Sequence, residues 1–528
     1  MRSGYLRKIG ICGVLAAAAL TMLLSPLDSD AAAVVTTGVV DNNIHDNDYT
    51  QYKPVTQCYL CNNGDGTLSR IENFGDIVMV EYFDGAYNVI GHKFLKMELP
   101  KFGGCWCGAK YNYVIFGQDN PEKKDDVECI RVVQYNKNWD RVGALSIKNC
   151  YTKIPFDECN TDMTEYGDEL YIRMGHRTYD DRQATMTIAM RQSNRSLIQA
   201  QANVAPGSGA YGDVVATFID SSDEKIVTVD HSLNYPRGIN ASRYDVKAGT
   251  GNFVTSVKKA EVMSLSGDLN TYSPFTAVSG LEVSGQYDLL VGRTTPGGAN
   301  SGSYNVFIAA VPKNNFDTKA VKLAFPTGYA YGDTYTVSAP FIVKVSGEQF
   351  VVLWEVYQGA GELERVDYVY VDGSGQMTSQ VQTMQGCLSD CQPVVYNGQV
   401  VWYTGNGSKM TMYSVPATGG VPYASQQVTT AKVAGSIDYS AVYDFAYYVN
   451  RYPDVRVLYQ NDPEGALWHF IHCGMPEGRQ GSDNFDPQVY YNKNADLRAS
   501  FGADWTAYYM HFINYGAAEG RRARTEKK

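Results

Sequence analysis

Charge is scarce in this chain: only 19% of its 528 residues are Asp, Glu, Lys or Arg, and the formal balance is −11. That balance excludes nucleic acid as a partner class, because phosphate binding needs basic surface that releases counterions. The one basic run, Arg521, Arg522, Arg524, Lys527 and Lys528, reads as a solvated, frayed terminus. Short catalytic signatures are missing too. There is no GxSxG elbow, no HExxH helix, no phosphate loop and no dinucleotide fingerprint, so no cofactor is called for. An enzyme is not excluded on that ground, since glycosidase and lyase propellers lack short signatures. Long apolar runs are confined to the N-terminus, which leaves no candidate membrane span after that segment.

The N-terminus has three recognisable parts. Arg2, Arg7 and Lys8 form a basic region, Ile11–Leu24 an apolar stretch, and Ala31, Ala32 and Ala33 small residues at a cleavage point. Residues 1–33 therefore read as a secretory signal peptide, and an extracellular location, secreted or attached to the cell surface, is expected. Of 11 cysteines, Cys12 lies in the leader. The remainder are expected to form disulfides, as an exported chain permits. Cys150 with Cys159, and Cys387 with Cys391, are close enough to staple loops, while Cys58, Cys61, Cys105 and Cys107 make two tight pairs. Those four also supply half of a thiolate zinc signature, but the single residue between Cys105 and Cys107 fits that signature poorly, and no metal is expected. Cys129 and Cys473 have no obvious local partner.

Abundant Tyr (40 residues) with Thr, Val and Gly is a β-protein composition. After a polar leader over 34–66, hairpin-like pairs of short strands run to about residue 430. Their leading strands start near Ile77, Val114, Leu170, Val215, Leu289, Val351 and Val400. Each unit places a strongly apolar strand before a polar turn and an amphipathic strand. Radially stacked sheets would bury such strands and leave only short edges. The expected fold is mainly β: a β-propeller of about seven blades over 67–430, with a β-sandwich pair as the other architecture the pattern allows.

From residue 436 the pattern changes to a small all-α domain over 436–528. Residues 443–480 align without a gap to 485–522, an offset of 485 − 443 = 42 residues. Asp444 and Asp486 read as N-caps, as do Asp462 and Asp504, and Gly474 and Gly516 as left-handed helix stops. His469 and His511 hold matching places. A second metal ligand four residues on is Cys473 in one copy and Tyr515 in the other, so both histidines are expected to bond a backbone or carboxylate partner. The set Gly474, Glu477, Gly478, Arg479 recurs as Gly516, Glu519, Gly520, Arg521. On these residues the chain resembles the GxxEGR helical repeats toward the C-termini of exported proteins of Clostridium-like Gram-positive bacteria. The region before them is similar, more loosely, to the propeller-like portions such proteins carry. The resemblance implies a surface or secreted location rather than a reaction.

Candidate ligand residues come from loops after the apolar strands. His176, Arg177, Tyr179, Asp180 and Asp181 combine an imidazole, a phenol and paired carboxylates, although the same stretch also reads as a polar hairpin turn. His231 with Tyr235 and Arg237 is a second such loop, and Trp354 and Glu355 with Glu362 and Glu364 a third. Aromatics beside carboxylates suit sugars: the ring stacks on an apolar sugar face and the carboxylates take hydroxyls. Cys61–Glu72 nearly spells a calcium loop, but its first position is Cys61 and its flanks read as strand, so a turn before the first strand is expected. The function expected is an exported binding or interaction protein. Its propeller-like body would contact a glycan, a cell-envelope polymer or an extracellular protein, and its C-terminal repeats would serve attachment. The alternative is a carbohydrate-active hydrolase or lyase using loop carboxylates.

Overall fold

The computed structural model describes residues 43, 53–202, 214–222, 225–232, 238–245, 257–265, 276–295, 303–330, 332–359, 361–406, 409–419, 426–428, 437, 439–452, 455, 466–467 and 469–524. The segment read as a signal peptide, most of the polar leader, Tyr235, Arg237 and the Asp462 cap lie outside the described residues. The chain divides into two compact units, one spanning residues 41–406 and 410–428, the other centred on residues 429–528.

The larger unit is a seven-bladed β-propeller. Its seven antiparallel sheets span residues 58–96, 101–147, 152–202, 214–264, 276–324, 335–384 and 394–428, numbered here as blades 1 to 7. Within each blade the strands follow chain order from the axis outward, and among the described residues no sheet borrows a strand from the other end of the chain. The inner strands are Cys58–Asn62, Lys101–Cys107, Thr161–Tyr166, Val214–Ser222, Thr276–Val283, Phe341–Ser346 and Val394–Tyr396. Those of blades 1 and 7 touch and close the ring.

The first strand begins at Cys58, inside the stretch read as polar leader. The calcium-like sequence is therefore the turn between the first two strands rather than a turn before the first: Asp65 accepts from the amide and hydroxyl of Thr67, and Gly64 and Gly66 take left-handed φ. Most of the strongly apolar strands read as unit leaders are second strands, such as Glu169–Thr178 and Gln349–Gln358. A second strand is sandwiched between the two neighbouring blades and so is apolar on both faces. Side chains alternate with period two. Leu170, Ile172 and Met174 pack toward blade 2 with Ile115, Ile130 and Val132, while Tyr171 packs toward Ile219 and Ile226 of blade 4.

The smaller unit is built from short helices. Phe445–Arg451 and Pro487–Lys493 are each capped by the aspartate ahead of them, Asp444 and Asp486. Phe470–Gly474 and Phe512–Gly516 form wide π-helical turns. The same contacts occur 42 residues apart: Tyr448 with His469 at 3.0 Å and Tyr490 with His511 at 2.9 Å, through the Nδ1 atoms. At Nδ1 each histidine thus bonds a phenol of its own repeat. Gly474 and Gly516 are not left-handed stops. A Cβ there would overlap the hydroxyls of Tyr448 and Tyr490, so close approach requires glycine; the left-handed positions are Gly478 and Gly520.

Candidate functional site

The side chains singled out from sequence, where described, are largely engaged by neighbours within the fold. His176 continues the Leu170–Met174 face into the packing between blades 2 and 3, fully buried, with Nδ1 2.9 Å from the Thr152 hydroxyl. Arg177 pairs with Asp157 and Glu158. Tyr179 donates to the Lys124 carbonyl and accepts from Asn120 at 3.1 Å. Asp180 bonds the Thr178 hydroxyl, and Asp181 is neutralised by Lys123 and Lys153. Trp354 sits in the core between blades 5 and 6. Glu355 faces the other way, accepting from the Leu388 amide at 2.7 Å and the Tyr357 hydroxyl at 2.5 Å. Only Glu362 and Glu364 of that group lie on the surface. Period-two burial on both faces of a second strand sends His176, Trp354 and Glu355 inward, while Asp180 and Asp181 stay on the surface.

His231 is the most exacting case. It is buried, and neither ring nitrogen has a hydrogen-bond partner. Burial holds the imidazole down to about 4, and His176 likewise. With the folded value depressed, the neutral ring's contribution is complete above an unfolded pKa of about 6.5 and is lost as pH falls toward 4. Between pH 7.5 and 5, His231 alone accounts for about 2 kcal/mol of lost stability. His231→Leu is therefore expected to flatten the acid limb of urea-unfolding stability by that amount. An unchanged difference between the two pH values would refute this account.

A different set involves the inner strands. Each pairs on one side only, so its other edge presents unpaired N–H and C=O groups toward the axis, which need partners. Side chains of the preceding blade supply them. Asn160 receives the Thr217 amide at 2.9 Å and donates to its carbonyl at 2.7 Å. Asp162 accepts from the Ile219 amide at 2.9 Å. Asp220 takes the Val283 amide, and Glu282 the Lys344 amide. Three successive blades, 3, 4 and 5, thus each place one carboxylate on the channel wall. Each is half-buried.

Desolvation dominates their chemistry. Burial pushes Asp162 up to about 7, with the neighbouring Asp220 adding to the rise and Lys53 opposing it. Burial likewise raises Asp220. Glu282 is raised well above the carboxylate range by burial first, then by Asp220, with Lys344 opposing. Lys53 is lowered by burial, against the pull of Asp390 and Asp162. Like charges sharing a poorly solvated wall favour the protonated form, and Asp162 is carried to about neutral pH. Such a group both donates and accepts, which suits hydroxyl-bearing ligands and gives no advantage to anions. Among the described residues, no group of three or more His, Cys, Asp or Glu is placed to hold a metal ion. The sequence signal for this wall was faint: single carboxylates at intervals of 220 − 162 = 58 and 282 − 220 = 62 residues.

The fold and the axial wall define a seven-bladed propeller with a carboxylate-lined channel. Several solved structures are distantly similar to this chain. They include an α-L-arabinanase of Penicillium chrysogenum (11% identity, 49% of this chain and 78% of that one, TM-score 0.34). The propeller domain of the Trilobed protease of Pyrococcus furiosus matches at 10% identity over 71% of this chain and 99% of that one, TM-score 0.39. An oligogalacturonate lyase of Vibrio parahaemolyticus matches at 7% identity over 69% and 90%, TM-score 0.35. Likenesses this distant assign no substrate. No protein-family model matches the sequence, and no curated protein does.

Proposed function

We propose that this is an exported binding protein whose propeller holds a neutral, hydroxyl-rich polymer, a glycan of the cell envelope or of a host surface, at the axial channel. The C-terminal unit serves attachment. The observation that carries the reading is the trio Asp162, Asp220 and Glu282 on consecutive inner strands, each raised by burial, Asp162 to about 7, and adjoining Lys53 and Lys344. The net charge of −11 disfavours acidic polymers on the same site. Asp162 retains its proton below about pH 7, so affinity is expected to weaken as pH rises through that value.

A glycan array with the mature protein, followed by calorimetry of each hit, tests this. Asp162→Asn mimics the protonated carboxyl and is expected to preserve binding and remove its pH dependence, whereas Asp220→Ala weakens binding about tenfold, or 1.4 kcal/mol. Binding that is indifferent to both substitutions would remove the channel from the account. One observation favours a second reading, glycoside hydrolysis or lysis: a proton-bearing carboxyl beside others is the arrangement of an acid–base pair. Release of reducing ends or of an unsaturated product from an array hit, abolished by Asp162→Asn, would establish it in place of simple binding.

A further inference from the structure

Ring closure in this propeller has an unusual burden. Every sheet is completed by strands of its own stretch of chain, so among the described residues no shared strand ties blade 7 to blade 1. The seam is held by side chains instead: Asn62 to the Val395 carbonyl at 2.9 Å, Tyr396 to the Gly66 carbonyl at 2.7 Å, and the Gly405 amide to Asn43 at 2.6 Å. At its centre lie Cys58, first residue of the inner strand of blade 1, and Cys391, just ahead of the inner strand of blade 7. Both are buried thiols, hydrogen-bonded to one another. Asn43 brackets the pair: its amide donates to the Cys58 sulfur at 3.5 Å, and its carbonyl accepts the Asp390 amide at 3.0 Å.

The pairings suggested by sequence are not the ones the fold brings together. Cys61 is joined to Cys107, which ties the inner strands of blades 1 and 2. Cys387, four residues from Cys391, turns instead to the Tyr413 hydroxyl at 3.8 Å. Cys150 is hydrogen-bonded to Cys129 rather than placed against Cys159, whose Cβ lies where a side chain on Gly175 would go. Cys61 thus pairs across a blade boundary, 46 residues along the chain, rather than with the nearer Cys58.

We propose that Cys58 and Cys391 form a disulfide that closes the ring covalently, linking positions 391 − 58 = 333 residues apart. The oxidant is a small-molecule or protein disulfide. One cysteine thiolate attacks it and displaces the first thiolate; the second cysteine then attacks the mixed disulfide and displaces the other. Two protein thiols are oxidised, and their two protons pass to the two thiolates of the reagent disulfide, which leaves as two thiols. Burial, with Cys58 alongside, raises the Cys391 thiol well above its ordinary range, so thiolate is scarce once the seam has formed. Oxidation therefore belongs to folding, before the seam packs.

The full chain is refolded from denaturant in a reduced and oxidised glutathione buffer, free thiols are trapped by alkylation, and the protein is digested without reduction for mass spectrometry. This chemistry is supplied in the tube and is independent of where the protein resides and of what it binds. The expected result is a cross-linked peptide pair carrying Cys58 and Cys391 that separates on reduction, beside the Cys61–Cys107 pair as internal control. Alkylated Cys58 and Cys391 in a sample where Cys61–Cys107 is oxidised would overturn the proposal, as would Cys391 linked to Cys387. Cys58→Ser and Cys391→Ser supply a second readout: reductant lowers the unfolding midpoint of the parent more than that of either variant. An equal shift in all three counts against the bond.

Discussion

Arg70→Met is expected to destabilise the propeller by about 3–5 kcal/mol, among the largest effects of any single substitution. Arg70 has no exposed surface and sits on the second strand of blade 1. Its guanidinium donates to Glu81 at 2.9 and 3.2 Å, pairs with Glu72, and lies 5.6 Å from the centre of the Tyr403 ring across the seam with blade 7. Burial works against this cation, but Glu72 and Glu81 outweigh it and hold it charged. Methionine keeps the volume and removes the charge, leaving two carboxylates facing each other in the interior. They must then take up protons, which raises their folded pKa values. A raised carboxylate contributes stability at low pH and loses it as pH rises. The variant's deficit is accordingly larger at pH 8 than at pH 5. Adding Glu72→Gln and Glu81→Gln is expected to recover a substantial part of it. Urea titrations followed by tryptophan fluorescence at the two pH values decide the matter; a deficit of equal size at both would show that packing rather than charge is lost.

The second large effect concerns space. The ring of Phe156, carried at φ 58° ahead of the inner strand of blade 3, lies on a floor with no side chains, made by Gly103 and Gly117 of blade 2. A Cβ on Gly103 would overlap the ring, and one on Gly117 would stand 2.6 Å from it. Gly103→Ala is expected to cost about 1–3 kcal/mol through overpacking, and Phe156→Ala about 3 kcal/mol through lost burial. The two defects occupy the same volume, so the double substitution should cost at least about 1 kcal/mol less than their sum. Strict additivity in that cycle would mean that the glycine is required for its backbone alone.

The hairpins were legible in the chain because Asp and Gly mark the turns and apolar residues alternate between them, as at Asp84 and Gly85, where the Asp84 carboxylate takes the Ala86 and Asn88 amides. The inner strands were not. Thr161–Tyr166 is short and polar because its free edge faces the axis, so it carries the pattern of a loop. The site suffered in both directions. His176, His231 and Glu355 look available in sequence, and the opposing blade encloses them. Asp162, Asp220 and Glu282 look like ordinary strand-end acids until the ring brings their strands side by side. Cysteine pairing failed for the same reason, since contacts across a seam leave no local trace.

Blades made only of neighbouring strands also set an order of assembly. Nearly all pairing joins segments a few dozen residues apart, and only the seam bonds, such as Tyr396 to Gly66 and Tyr403 to Glu72, span more than 300. Low contact order lets each blade form as it emerges, while loop closure over the whole body waits until the seventh is complete. In native-state hydrogen exchange of the reduced protein, with the Cys58–Cys391 bond absent, the amides bordering blades 1 and 7 should therefore be the first of the propeller core to open. The same architecture that lets the chain fold piecewise concentrates its weakness along one radial line.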